Sequence, residues 1–428
     1  MLKRERSWLT IALINLSVVA LLGLLLRSKI LFPIPAINFG YLLHAHSHFA
    51  FTGWITLCLL TLMTYRILPE KYNSQPRYKW LLAGILLSAV GMLLSFPFQG
   101  YAFFSILFST LSILVSYVFS WFFIKDLLKT RPRKPVIILA VSSLVAMVLS
   151  SVGPFTLAYM MASHSVNALL YRDAIYTYLH LQYNGFFTLG IFTLFVHHLG
   201  HSSAKVPERS LNHFATFLSV SVLPTLALSY LWHFPNAVIR TIAVAGCGCL
   251  VVTLVSFIVM MRSAKEALKT VGPFTKKIGV LSMIAFAVKT AVQIFIVFPA
   301  IGEMVFSNRP VIIGYLHLVM LGFVTLYLFA YLLHIGYFET GRGLSAPGII
   351  IFTGAAIANE IILAMQGFPA IFMLNSTLYL WLLWAAAIGL FTGALVIAAA
   401  AVKRLRTRSD ILLLKYPGSY YQRNNRPA

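Results

Sequence analysis

Residues 8–26 read WLTIALINLSVVALLGLLL, a stretch with no charged side chain. Stretches of this kind recur to the end of the chain, and they constrain the fold more than any other feature. A helix rises about 1.5 Å per residue, so about 20 apolar residues cross the hydrocarbon of a bilayer. Twelve such runs are read, at roughly 7–27, 42–64, 80–98, 101–124, 135–161, 175–198, 213–232, 237–261, 278–298, 311–334, 347–367 and 377–402. Lipid offers no partner for backbone N–H and C=O groups, so each run is predicted to be a helix that satisfies its own. The expected fold class is all-α, a polytopic membrane bundle of about twelve transmembrane helices. Short loops leave no room for a separate soluble domain. Residues 1–408 are assigned to the bundle and 409–428 to a cytoplasmic tail, with an interfacial patch at ILLLKY. No internal repeat stands out.

The first run follows MLKRERSW and is itself followed by Arg27-Ser28-Lys29 rather than a small-residue cleavage site. It is therefore read as an uncleaved helix. The formal charge of +23 is carried by loops on one side. That side holds Lys3, Arg4 and Arg6, the basic clusters at 66–79, 125–134 and 262–277, Lys205, Arg209, Arg342, and the cluster at 403–426. The other side has only Arg27, Lys29, Arg172 and Arg309, with Arg240 just inside a helix. This asymmetry is the positive-inside pattern, so both termini are expected in the cytoplasm of a bacterial-type inner membrane. It points to anionic lipid as the neighbour of the basic loops and away from nucleic acid. Cys58, Cys247 and Cys249 all fall in membrane runs and imply no disulfide framework. Gly246-Cys247-Gly248-Cys249 is read as close helix packing by small residues.

Imidazoles are costly in a bilayer unless something holds them. With the N-terminus inside, the second, sixth and tenth runs all begin at the outer surface. His48, His180 and His317 then lie on the order of 7–10 Å below it. Three helices far apart in sequence thus deliver histidines to one layer, as a buried metal or haem site requires. His44 is one turn from His48 on the same face. His46 points elsewhere and is read as structural, as are His164, His197, His198, His201, His213 and His334. His233 stands at the outer end of the seventh run. Gln182, Tyr183 and Asn184 accompany His180, and Tyr315 accompanies His317. Gly314 and Gly322 leave room beside His317 for a flat macrocycle, which Phe49, Phe51 and Trp54 could wall. Two further ionisable side chains fall near mid-membrane, Lys289 and Glu360. Their matching depths predict that they approach each other, either as an element of a proton path or as a structural ion pair.

Twelve helices, with histidines in the outer part of the second, sixth and tenth and another after the seventh, resemble the catalytic subunit I of the haem–copper oxidases and nitric oxide reductases. A further resemblance is to the twelve-helix haem proteins linked to nitric oxide tolerance. The first resemblance implies that His48 (or His44) and His317 ligate a low-spin haem. It implies that His180 and His233 correspond to ligands of a non-haem copper or iron, or of a second haem site. Arg172, Arg240 and Arg309 would face haem propionates, and Tyr183, Lys289 and Glu360 would serve catalysis or proton movement. The sequence departs from that pattern. The tenth run has one histidine rather than two separated by one residue, the seventh has only His233, and Asn184 stands where a reductase would carry glutamate. The resemblance therefore implies a bis-histidine haem with an incomplete binuclear centre, in respiratory or nitrogen-oxide redox chemistry. Its partners would be a cytochrome or quinol electron donor and other membrane subunits. Two alternatives stay open: a non-catalytic haem or metal protein for nitric oxide tolerance or sensing, and a proton-coupled transporter.

Overall fold

The computed structural model describes residues 3–201, 206–338, 343–367 and 376–415, with side chains described as far as residue 405. Among them there is no strand. Eleven helices are long and apolar enough to cross a membrane, which makes the chain an integral membrane protein. They are α1 (Lys3–Leu31), α2 (Phe39–Ile67), α3 (Pro76–Gln99), α4 (Phe103–Thr130), α5 (Lys134–Ala162), α7 (Glu208–Ser229), α8 (Ala237–Ser263), α9 (Pro273–Phe295), α10 (Arg309–His334), α11 (Ser345–Gly367) and α12 (Leu378–Lys415). The remaining predicted run is also a continuous helix, α6 (168–200). It falls outside the set of eleven because His180, Gln182 and Asn184 dilute its apolar stretch.

Local chemistry explains many helix starts. Asn38, Asn167 and Asn236 stand before α2, α6 and α8 with extended backbones, and each accepts a hydrogen bond from a first-turn backbone N–H. Pro76, Pro273 and Pro310 occupy first-turn positions, where a missing N–H costs nothing. The last helix runs past its predicted end at 402 to Lys415, so residues 409–415, assigned to the tail, continue α12. The rest of that tail, 416–428, lies outside the described residues, as do Lys205 and Arg342.

Neighbours in sequence are mostly neighbours in space, and α12 returns to pack on α1. The helices α2, α6 and α10 meet one another within the bundle. The helix α2 is the most enclosed of the eleven. Phe51 of α2 meets Phe187 of α6 at a ring separation of 5.3 Å. Phe192 of α6 meets Phe323 of α10 at 5.7 Å. The Trp54 Nε1 of α2 donates to the Thr325 hydroxyl of α10 at 3.2 Å. Hydrophobic burial does not drive helices together in lipid, so such packing and hydrogen bonds carry the association.

The three inner helices share a distortion. Each winds into a π-helix, at Ala50–Thr56, Leu181–Phe187 and Leu318–Thr325. Each of these segments begins one or two residues after His48, His180 or His317. With the helices aligned on these histidines, the chain does repeat itself. The stretches HFAFTGWITL (48–57), HLQYNGFFTL (180–189) and HLVMLGFVTL (317–326) share histidine, then glycine five residues on, an aromatic residue, threonine and leucine. The motif recurs every fourth helix, which a reading of single runs misses. A π-turn widens the helix and frees backbone carbonyls, and such turns gather at functional sites. The Thr188 hydroxyl donates to the Tyr183 carbonyl at 2.6 Å, meeting one of them. The motif glycines permit contact: a Cβ on Gly185 would lie 2.5 Å from the Ala146 Cβ, and one on Gly53 2.7 Å from the Phe49 ring. The expectation of small-residue packing in α8 holds at Gly246, where a Cβ would lie 2.8 Å from the Thr225 backbone nitrogen of α7.

Candidate functional site

The histidines of α2 divide between two faces, because residues two apart on a helix point nearly opposite ways. His44 and His48 face α3 and the turn after it. The His48 ring stacks on Phe96 at 4.7 Å, tilted by 17°. Its Nε2 hydrogen-bonds the Tyr101 hydroxyl at 2.9 Å, and His44 meets the Tyr101 ring at 4.6 Å. Desolvation by the surrounding groups, then Tyr171, push the Tyr101 phenol up to about 12, so it stays protonated at neutral pH. His48, expected to oppose His317, thus has its Nε2 engaged by Tyr101.

His46 lies on the other face of α2. It faces α1, where its Nδ1 lies 3.1 Å from the Val19 carbonyl oxygen. A Cβ at Gly23 would come within 3.1 Å of its ring, so glycine there lets α1 approach. On α10 the His317 Nδ1 lies 2.9 Å from the Ile313 carbonyl oxygen, one turn back. A carbonyl only accepts, so both rings carry their proton on Nδ1 and present an Nε2 lone pair. Neither Nε2 makes a hydrogen bond among the described residues. Arg27 of α1 and His46 both act electrostatically on His317, and Arg27 also acts on His46. These three residues, from α1, α2 and α10, lie within electrostatic range of one another. The segment of α10 from Arg309 to His317 has no fully buried residue.

A haem fits these residues in donor chemistry. Metal-ligating histidines typically hold one ring nitrogen on a carbonyl or carboxylate and offer the other, and Arg27 is a cation suited to propionates. Arg172, Arg240 and Arg309 are exposed, and Arg172 lies over the Trp232 ring at 4.2 Å.

The predicted non-haem metal ligands do not form a metal centre. His180 is buried with both nitrogens engaged, Nε2 at 2.8 Å from the Val222 carbonyl oxygen and Nδ1 at 3.2 Å from Asn184 Nδ2. The His233 Nε2 pairs instead with Asp173 Oδ2 at 3.1 Å, tying the turn after α7 to α6. No group of three or more histidine, cysteine, aspartate or glutamate side chains able to hold a metal ion occurs among the described residues.

The expected approach of Lys289 to Glu360 is corrected. Lys289, 2% exposed, donates to Asn184 Oδ1 at 2.9 Å. Glu360 accepts from its neighbour Asn359 at 3.0 Å. No ion pair joins Lys289 and Glu360 among the described residues. Similar depth does not make two side chains neighbours when their helices face different parts of a bundle. Tyr183 lies between the two regions, its ring 6.3 Å from His180 and 5.8 Å from Tyr315.

His46 and Arg27 were not assigned to a site by the sequence reading. Their signal was weak: His46 lies outside the repeated motif, and Arg27 resembles an ordinary residue at the end of a membrane helix. No protein-family model matches the chain, and no curated protein matches it.

Proposed function

We propose that this chain is a haem-binding membrane protein of the haem–copper oxidase subunit I type, holding one low-spin haem between α2 and α10. The observation that supports this most is that His46 and His317, within electrostatic range of each other, each tie Nδ1 to a carbonyl and make no Nε2 hydrogen bond among the described residues. His46 and His317 would hold the iron, and Arg27 would meet the propionates. A haem so held takes up and releases one electron, with a potential set by burial and by bonds to its ligands. The carbonyls of Val19 and Ile313 fix the tautomer and ring direction of the two ligands.

The protein would then work in respiratory or nitrogen-oxide electron transfer, fed by a cytochrome or a quinol and assembled with other membrane subunits. The loop charges support a bacterial-type inner membrane, cytoplasmic termini and anionic lipid at the basic face. A non-catalytic role in nitric oxide tolerance or sensing is the second reading. It is favoured by the engagement of both His180 nitrogens, which leaves that side chain no lone pair for a second metal.

An optical spectrum of the purified chain tests the proposal. The expected result is a Soret band with sharp reduced α bands. His46→Ala and His317→Ala should each abolish the low-spin signature, while His48→Ala should retain it. A chain without haem, or a spectrum indifferent to both substitutions, overturns the assignment. The first of those results would favour the proton-coupled transporter, with Lys289 and Glu360 as its membrane charges.

A further inference from the structure

The chamber around the second repeat histidine is filled by the protein's own side chains. His180, Asn184 and Lys289 are 2%, 5% and 2% exposed. They form a chain of hydrogen bonds with one direction. Lys289 Nζ donates to Asn184 Oδ1 at 2.9 Å. Asn184 Nδ2 donates to His180 Nδ1 at 3.2 Å. His180 Nε2 donates to the Val222 carbonyl at 2.8 Å, with the Thr225 hydroxyl 3.4 Å away. The Lys289 ammonium also lies 5.4 Å from the centre of the Phe286 ring, within range of a cation–π attraction.

Each link fixes the next. An ammonium has three donors and no acceptor, so it requires the Asn184 oxygen to face it. The Asn184 amide must then turn its NH₂ toward His180. That places a lone pair on His180 Nδ1 and the ring proton on Nε2, opposite to the arrangement at His46 and His317. Turning the amide over would set NH₂ against ammonium and a carbonyl against a lone pair. A metal ligand needs a free imidazole lone pair and further ligands around the ion, and His180 has no free lone pair.

We propose that Lys289 fills the space beside His180 and Asn184, where the resemblance implies a ligand of a non-haem metal, and that the chamber is closed to metal ions. Lys289 acts as a positioning residue, which sets the Asn184 amide and through it the His180 tautomer. The proposal stands on the α6–α9 geometry and does not require the haem reading.

Two measurements on the purified full-length chain test it. In the first, the protein is incubated with Cu²⁺, Zn²⁺ or Fe²⁺ and desalted, and metal per polypeptide is counted with haem iron subtracted. The expected result is no stoichiometric non-haem metal in the wild type or in His180→Ala. One equivalent in the wild type that disappears in His180→Ala overturns the proposal. In the second, thermal unfolding is compared for Asn184→Leu, Lys289→Met and the double variant. Asn184→Leu strands the Lys289 donors, so it should destabilise strongly. In the Lys289→Met background the same change should cost at least about tenfold less in the unfolding equilibrium constant. Additive effects overturn the coupling. If Asn184→Leu does not accumulate, recovery of folded protein in the double variant reads the same coupling, and failure to recover counts against it.

Discussion

Trp54 and Thr325 join α2 to α10 through an indole N–H donated to a threonine hydroxyl at 3.2 Å, both side chains buried. Both are repeat residues: Trp54 follows the motif glycine of α2, and Thr325 is the motif threonine of α10. The bond locks together the two helices that carry His46 and His317. Thr325→Val keeps the shape and leaves the indole N–H without an acceptor. The expected loss is about 1–3 kcal/mol of stability, read by thermal unfolding, with Thr325→Ser retaining most of the wild-type value. Equal stability of wild type and Thr325→Val would show that the bond contributes nothing.

The glycine of the second repeat should tolerate no side chain. A Cβ at Gly185 would lie 2.5 Å from the Ala146 Cβ, while one at Gly354 would meet nothing within 4 Å. Gly185→Ala is expected to cost about 1–3 kcal/mol through overpacking of α5 against α6. Gly354→Ala, on an exposed face of α11, should be neutral or slightly stabilising by helix propensity. Melting temperatures of the two variants that changed alike would contradict the close approach.

Tyr337 ties the end of α10 to α1, its hydroxyl 2.7 Å from that of Thr10. Burial pushes its phenol up to about 12 from the ordinary 10. A raised phenol gives stability that is complete below the unfolded value and is lost as pH rises through the folded one. The melting temperature should therefore fall between about pH 10 and 12 by an amount that Tyr337→Phe removes. The two shapes would be the same if Tyr337 ionised equally in both states.

Orientation gives a further prediction. A cysteine introduced at Arg131, in the left-handed turn that ends α4, should react with a membrane-impermeant reagent only from the side of the N-terminus. Cys58 is buried and gives little background. Labelling from the opposite side would reject the cytoplasmic assignment of the basic loops.

Much of this protein was legible without coordinates, because a bilayer imposes one-dimensional rules. Apolar runs of sufficient length must be helices, as at α1 and α9, and the basic loops sort to one side whatever the packing. His48, His180 and His317, given a common depth by the same counting, all stand at the start of a π-helix. Facing was not legible. His46 and His48 differ by two residues, and which of them meets α1 and which meets α3 depends on how those helices flank α2. Lys289 and Glu360 share a depth, yet Lys289 reaches Asn184 because α9 packs on α10 near α6, while Glu360 turns to Asn359. Depth is a sum along one helix and survives without a fold. Direction is a relation between helices, set by the approach of glycines such as Gly23 and Gly185 to their neighbours, and only the packed bundle decides it.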